Sequence, residues 1–174
     1  MARTDVGRDI YVVMGVAGSG KSLVGAALAE TLGLEFVEGD QYHPAENVAR
    51  MSAGIPLTDA DRQGWLKALA ARMRTAVNSS NGLVVACSAL KRSYRDLLRS
   101  ESSAPRVQFI FLRGDRALIG ERIAGRRGHY MPASLLDSQF ETLEEPSPDE
   151  HAWVLDVTAP PDDLVAAIAT QARA

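Results

Sequence analysis

The run Gly15-Val16-Ala17-Gly18-Ser19-Gly20-Lys21-Ser22 has the spacing G-x-x-x-x-G-K-S. Its glycines let the backbone curl until successive N–H groups face inward around an anion. A helix starting at its end adds the positive end of its dipole. Lys21 is then placed to reach the β- and γ-phosphate oxygens of a nucleotide, and the Ser22 hydroxyl to ligate Mg²⁺. A plain glycine-rich turn is the bland reading, and the flanking pattern of apolar strand before and helix after argues against it.

Two further clusters lie at comparable places in the chain. In Glu38-Gly39-Asp40, Asp40 could accept a proton from a substrate hydroxyl or orient it. Its other reading is an N-cap for a helix beginning at position 44. His43 could hydrogen-bond a polyol or be structural. After Cys87-Ser88, Lys91 and Arg92 could hold an anion. A solvated helix start is the alternative, although the helix dipole disfavours cations there. Farther on, Arg116, Arg122, Arg126 and Arg127 interleave with Gly120, Gly125 and Gly128. Such a segment suits a lid, approximately 120–135, whose guanidinium groups neutralise transferring phosphate and whose closure excludes water. A basic surface helix would look the same. Cys87 reads as a packed, inert thiol, and the Phe140/Leu143 pair as core.

What must position these groups is legible from periodicity. Short apolar runs at 10–14, 35–37, 83–87, 107–112 and 154–157 predict strands. Helical patterns fall at 22–32, 44–51, 58–77, 93–99, 115–124, 133–143 and 161–172. The longest opens on the capping box Thr58-x-x-Asp61. Strand and helix alternate throughout, which predicts a parallel sheet covered on both faces: an α/β, three-layer architecture in one domain, 1–174. Ligands of such sheets sit beyond the carboxyl ends of the strands, where all the clusters fall. No Asn-Lys-x-Asp base reader of a GTPase switch occurs. Asp61-Arg-Gln-Gly64 lies at a helix start rather than after a strand. A motor ATPase needs more chain, so a small-molecule kinase is the expected class.

The chain has 174 residues, 46% hydrophobic and 24% charged, with a net charge of −3. This composition fits one globular domain and disfavours duplex nucleic-acid binding. One cysteine precludes an internal disulfide and fits a reducing compartment. The longest apolar runs, 10–14 and 83–87, fall far short of the ~20 residues of a membrane span. Residues 1–9 carry no apolar signal segment, so a cytoplasmic location with no membrane partner is expected. Only 3 of the 19 basic residues are lysine: Lys21, Lys67 and Lys91. The lysine shortage fits GC-rich codon usage, yet two of the three stand at the strand ends.

Taken together, several segments resemble the gluconate kinases of the P-loop small-molecule kinases. They are Gly15–Ser22; Glu38-Gly-Asp-Gln-Tyr-His-Pro44 with Asn47 and Met51; Gly54-Ile-Pro-Leu-Thr-Asp-Ala-Asp-Arg62 with Trp65-Leu66; Cys87-Ser-Ala-Leu-Lys91; Tyr94-Arg-Asp-Leu-Leu98; Arg122 to His129; and Gln139-Phe-Glu-Thr-Leu-Glu-Glu-Pro146. The likeness runs in register over about 10–156. It implies ATP-dependent phosphorylation of D-gluconate at the 6-hydroxyl, a five-stranded parallel sheet with a mobile lid, and often a homodimer. By that resemblance, Gly15, Val16, Ala17, Gly18, Ser19, Gly20, Lys21 and Ser22 bind ATP, with Mg²⁺ at Ser22. Asp40, His43, Asn47, Arg50, Lys91 and His129 face gluconate, with Lys91 or Arg50 near its carboxylate. Arg122 and Arg126 join Lys21 and Asp40 in catalysis. Ala17 stands where such loops often have Ser. No Asp follows the strand at 83–87, so metal ligands beyond Ser22 and ATP oxygens stay open. A kinase for another small hydroxy acid, such as shikimate, and a non-catalytic nucleotide-binding module are the alternatives.

Overall fold

The structure is a computed structural model that describes residues 8–104, 106–125 and 133–174. Strands β1 (Ile10–Met14), β2 (Glu35–Glu38), β3 (Leu83–Ala86), β4 (Val107–Arg113) and β5 (Trp153–Asp156) form one sheet in the order β2-β3-β1-β4-β5. Every neighbouring pair is parallel. The helices are α1 (Lys21–Leu32), α2 (Ala45–Ser52), α3 (Asp59–Asn78), α4 (Arg92–Glu101), α5 (Arg116–Ala124), α6 (Ala133–Thr142) and α7 (Pro161–Arg173). The expected three-layer α/β/α fold is the one observed.

The two-residue alternation of a strand sorts the core into two halves. From β1, Ile10, Val12 and Met14 face Trp65, Leu69 and Met73 of α3 and Leu98 of α4. Tyr11 and Val13 face the other way, onto Leu28 of α1, Ile119 of α5 and Ile168 of α7. A strand buried on both faces cannot alternate apolar with polar, which is why β1 and β3 read as continuous apolar runs. Leu143 packs against both halves and Phe140 against the second, as expected of core residues.

Local signals set the helix ends. The Thr58 hydroxyl accepts from Asp61 N at 3.1 Å and the Asp61 carboxylate from Thr58 N at 2.9 Å, closing the predicted capping box. Gly33 ends α1 in the left-handed region. Two short 3-10 turns, Gly39–Tyr42 and Pro148–Glu150, have no signature in the apolar periodicity and are found only in the structure.

The connection out of β1 places α1 on one face, and that out of β3 places α4 on the other. The crevice between the carboxyl ends of β1 and β3 is therefore a topological switch point, where open α/β sheets bind ligands. Gly15 N donates to Ser88 O at 3.3 Å across it.

Candidate active site

The glycine-rich loop leaves β1 and curls back before α1. At Gly18, φ is +80°, and an added Cβ would stand 2.6 Å from Ile123 Cγ1 of α5. Only glycine both adopts that conformation and leaves room for α5. Lys21 Nζ donates to Val16 O at 3.0 Å, holding the ammonium over the loop. The Ser19 hydroxyl is buried with no hydrogen-bond partner among the described residues. A curled backbone, an ammonium laid across it and an unspent hydroxyl fit a polyphosphate. The Ser22 hydroxyl donates to the Glu38 carboxylate at the end of β2. This pair of hard oxygen donors fits Mg²⁺. Among the described residues, no group of three or more His, Cys, Asp or Glu could hold a metal.

The chain turns sharply after β2 because Gly39 crosses β3 without a side chain. A Cβ there would lie 2.4 Å from Ala86 O. Trp65 Nε1 donates to Gly39 O at 2.8 Å and pins the turn. Asp40 is thereby exposed at the sheet edge rather than capping α2, whose N-cap is Pro44 without a side-chain bond. Asp40, His43 and Arg62 line an open cleft whose other walls include Ala17, Lys21, Ser88, Ser138 and Gln139.

His43 stacks on Trp65, with ring centroids 4.0 Å apart. Asn47 is buried and does not line the cleft. Its Nδ2 donates to Asp61 O at 2.8 Å and stands 3.2 Å from His43 Nδ1. A nitrogen that only donates leaves Nδ1 to accept, so the imidazole proton is on Nε2. Burial lowers the His43 pKa from its usual 6.5, Asp40 opposes the shift and Arg62 adds to it. The ring is thus neutral at pH 7. Protonation would set an Nδ1–H against the Asn47 amide.

The remaining sequence candidates divide. Arg50 reaches Asp61 at 3.4 Å and is exposed. Lys91 pairs with Asp59 at 3.0 Å. Neither lines the cleft. Arg122 donates to Val157 O at 2.6 Å, beyond β5. Arg126, His129 and the rest of 126–132, the middle of the lid segment, lie outside the described residues. Cys87 is buried, and burial pushes its thiol up to about 12, as an inert core group requires.

A profile of the shikimate kinase family matches residues 17–159. The chain is 42% identical over 167 residues to the thermoresistant gluconokinase of Escherichia coli K12, covering 95% of this chain and 94% of that one. It is 48% identical over 139 residues to the gluconokinase of Gluconobacter oxydans, covering 80% and 77% of the two chains. The crystal structure of a gluconokinase from Sinorhizobium meliloti superposes with a TM-score of 0.81 at 49% identity, covering 95% of this chain and 90% of that one. The chain belongs to the gluconokinase family.

Within this gluconokinase-family site, Glu38 and Arg62 are among the residues that the structure brings in and the sequence does not single out. Glu38 carries no signal of its own in the sequence, and its contact with Ser22 joins the end of β2 to the start of α1, which no local pattern links. Arg62 enters the sequence reading only as the end of the segment Gly54–Arg62, with no role of its own. Its guanidinium donates to the Tyr94 hydroxyl at 2.9 Å, and Tyr94 donates to Asp59. Asp59 in turn accepts from Lys91. This chain fixes Arg62 at the cleft and accounts for Lys91 as its outer support.

His43 gives a pH expectation. Above 6.5 the ring is neutral in the folded and unfolded chain alike. As pH falls through 6.5 toward the lower folded pKa, stability declines, because the unfolded chain binds the proton first. Below the folded pKa the ring in the cleft is charged. The acid limb of acceptor kcat/KM should therefore fall below pH 6.5. A pH–rate profile of His43→Gln, which cannot titrate, should flatten that limb.

Proposed function

We propose that this chain transfers the γ-phosphoryl group of ATP to the 6-hydroxyl of D-gluconate, releasing 6-phosphogluconate and ADP. The observation that carries the reading is that Lys21, Asp40 and Arg62 line one cleft: a phosphate ligand, a proton acceptor and a carboxylate ligand. The gluconokinases to which the chain is similar support the acceptor. Residues Gly15–Ser22 hold the nucleotide. Ser22, beside Glu38, holds Mg²⁺, which supplies charge neutralisation on the phosphates. Arg62 offers a planar fork to the gluconate carboxylate. His43 donates its Nε2–H to a hydroxyl. Asp40 takes the proton of the attacking hydroxyl, the new O–P bond forms, and the bond to ADP breaks. Positioning and electrostatics supply most of the rate.

Arg122, and Arg126 and His129 beyond the described residues, are proposed to close over the phosphates and acceptor as a lid. Asn47 acts through His43, and Lys91 acts through Asp59 and Tyr94 on Arg62; Arg50, paired with Asp61, supports the start of α3. A homodimer and a cytoplasmic location belong to the same reading. Among the described residues, no helix is long and apolar enough to cross a membrane.

Lys21→Ala should lower kcat by at least ~100-fold, since a preorganised charge on the transferring group is worth ~2.7–4 kcal/mol. Steady-state ADP release with gluconate measures this. Near-normal turnover would remove Lys21 from the assigned role.

A further inference from the structure

Gln139 is among the cleft residues that the function assigned so far leaves unused. Gln139, on α6, extends its side chain to the phosphate-binding loop, where its Oε1 accepts from Ala17 N at 2.7 Å. A backbone N–H only donates, so this contact decides which end of the amide is which. The oxygen faces the loop, and the NH₂ is the free end. By the lengths of the amide bonds, Nε2 lies within ~5 Å of the Ala17 nitrogen. Gln139 lines the same cleft as Lys21 and Asp40. Among the described residues its Nε2 has no acceptor.

The helix carrying Gln139 is held in place. Immediately after α6, Glu144 N donates to Leu90 O at 2.7 Å, and the Glu144 carboxylate accepts from Arg92 N at 3.0 Å. Leu136 is buried in the core. The amide is thus pinned at both ends, by its own helix and by the loop, which is how a donor is preorganised for charge that develops elsewhere.

We infer that Gln139 is a catalytic residue whose Nε2 donates a hydrogen bond to an oxygen of the transferring phosphoryl group, with Ala17 N holding its amide in the donating orientation. This rests on the proposed kinase reading. The Lys21 ammonium and the Gln139 amide then approach the transferring group from two helices, α1 and α6. The residue at position 17 contributes only its N–H, which explains why Ala serves where such loops often have Ser.

The test uses the full chain and the variants Gln139→Ala and Gln139→Glu, with a non-hydrolysable ATP analogue as the binding probe. Gln139→Ala should lower kcat about 10²-fold, with analogue Kd and Tm little changed. Acceptor-independent ATP hydrolysis should fall in parallel. Gln139→Glu keeps an oxygen for Ala17 N but loses the donor at pH 8. Its activity relative to wild type at the same pH should recover as the introduced carboxyl is protonated. Lys21, Asp40, His43 and Arg62 are the charged or titrating groups lining the cleft with it, and the same-pH ratio divides out their titration. Tighter analogue binding by Gln139→Ala with unchanged kcat would overturn the inference: the side chain would merely occupy an amide that nucleotide takes. Lowered Tm with unchanged kcat would overturn it equally, leaving a structural strap. Wild-type turnover on gluconate decides the acceptor reading separately. The hydrolysis comparison reads Gln139 whatever the acceptor.

Discussion

Asp40→Asn should bind nucleotide as the wild type does and lose phosphoryl transfer, with kcat reduced about 10²–10⁴-fold. Asp40 is exposed at the carboxyl edge of β2 and lines the cleft with Lys21. Its carboxylate caps no helix, because α2 begins at Ala45 behind Pro44. Replacing one oxygen by NH₂ preserves shape and removes the proton acceptor. Tm should therefore stay within the error of a melting curve while kcat collapses and the Kd of an ATP analogue holds. A variant that melted early with normal kcat would return Asp40 to a structural role.

Glu150→Ala should destabilise the fold by about 3–5 kcal/mol, the usual cost of stranding one partner of a buried ion pair. Arg95 and Glu150 are both buried, 0% and 1% exposed at the side chain, and meet at 2.7 Å. Arg99 adds a second guanidinium at 2.9 Å. Burial alone would raise the Glu150 carboxyl. Hydrogen bonds from Arg95, Arg99 and Ser147 N outweigh it and bring the pKa to about 2, against 4.5 ordinarily. A folded pKa below the unfolded one contributes stability above pH 4.5 and loses it as pH falls from 4.5 toward 2. The difference between wild type and variant should accordingly be full at pH 7 and shrink below pH 4.5. Urea unfolding at several pH values measures it. A pH-independent difference under 1 kcal/mol would mean that the pair contributes little.

The consequence reaches the cleft. Arg95 Nη1 donates to Ala89 O at 2.9 Å. Ala89 holds φ at +46°, a conformation an alanine keeps only when its surroundings fix it. Its neighbours Ser88 and Leu90 line the cleft. The ion pair therefore shapes the acceptor wall from beneath.

None of that was visible in the sequence. Among the described residues, periodicity placed the five strands and seven helices to within a few residues, because burial on one or both faces imposes a short-range repeat. The glycine-rich loop was legible for the same reason: its chemistry is contiguous. Asp40 and His43 followed from their place just after a strand. Arg62, Glu38 and Gln139 act through partners far away in the chain. Gln139 meets Ala17 across 122 positions. Arg62 is separated from Tyr94 by 32. Such pairings are products of tertiary packing and leave no local spacing to read. Lys91 shows the converse: a cation at the expected strand end whose side chain the fold turns toward Asp59.

The most direct measurement is ATP-dependent product formation across gluconate, shikimate and a panel of polyols, with ADP release and phosphorylated product quantified together. The expected result is one 6-phosphogluconate per ADP, with gluconate preferred over every other acceptor. ADP release no faster with gluconate than without an acceptor, or preferential turnover of shikimate, would contradict the account.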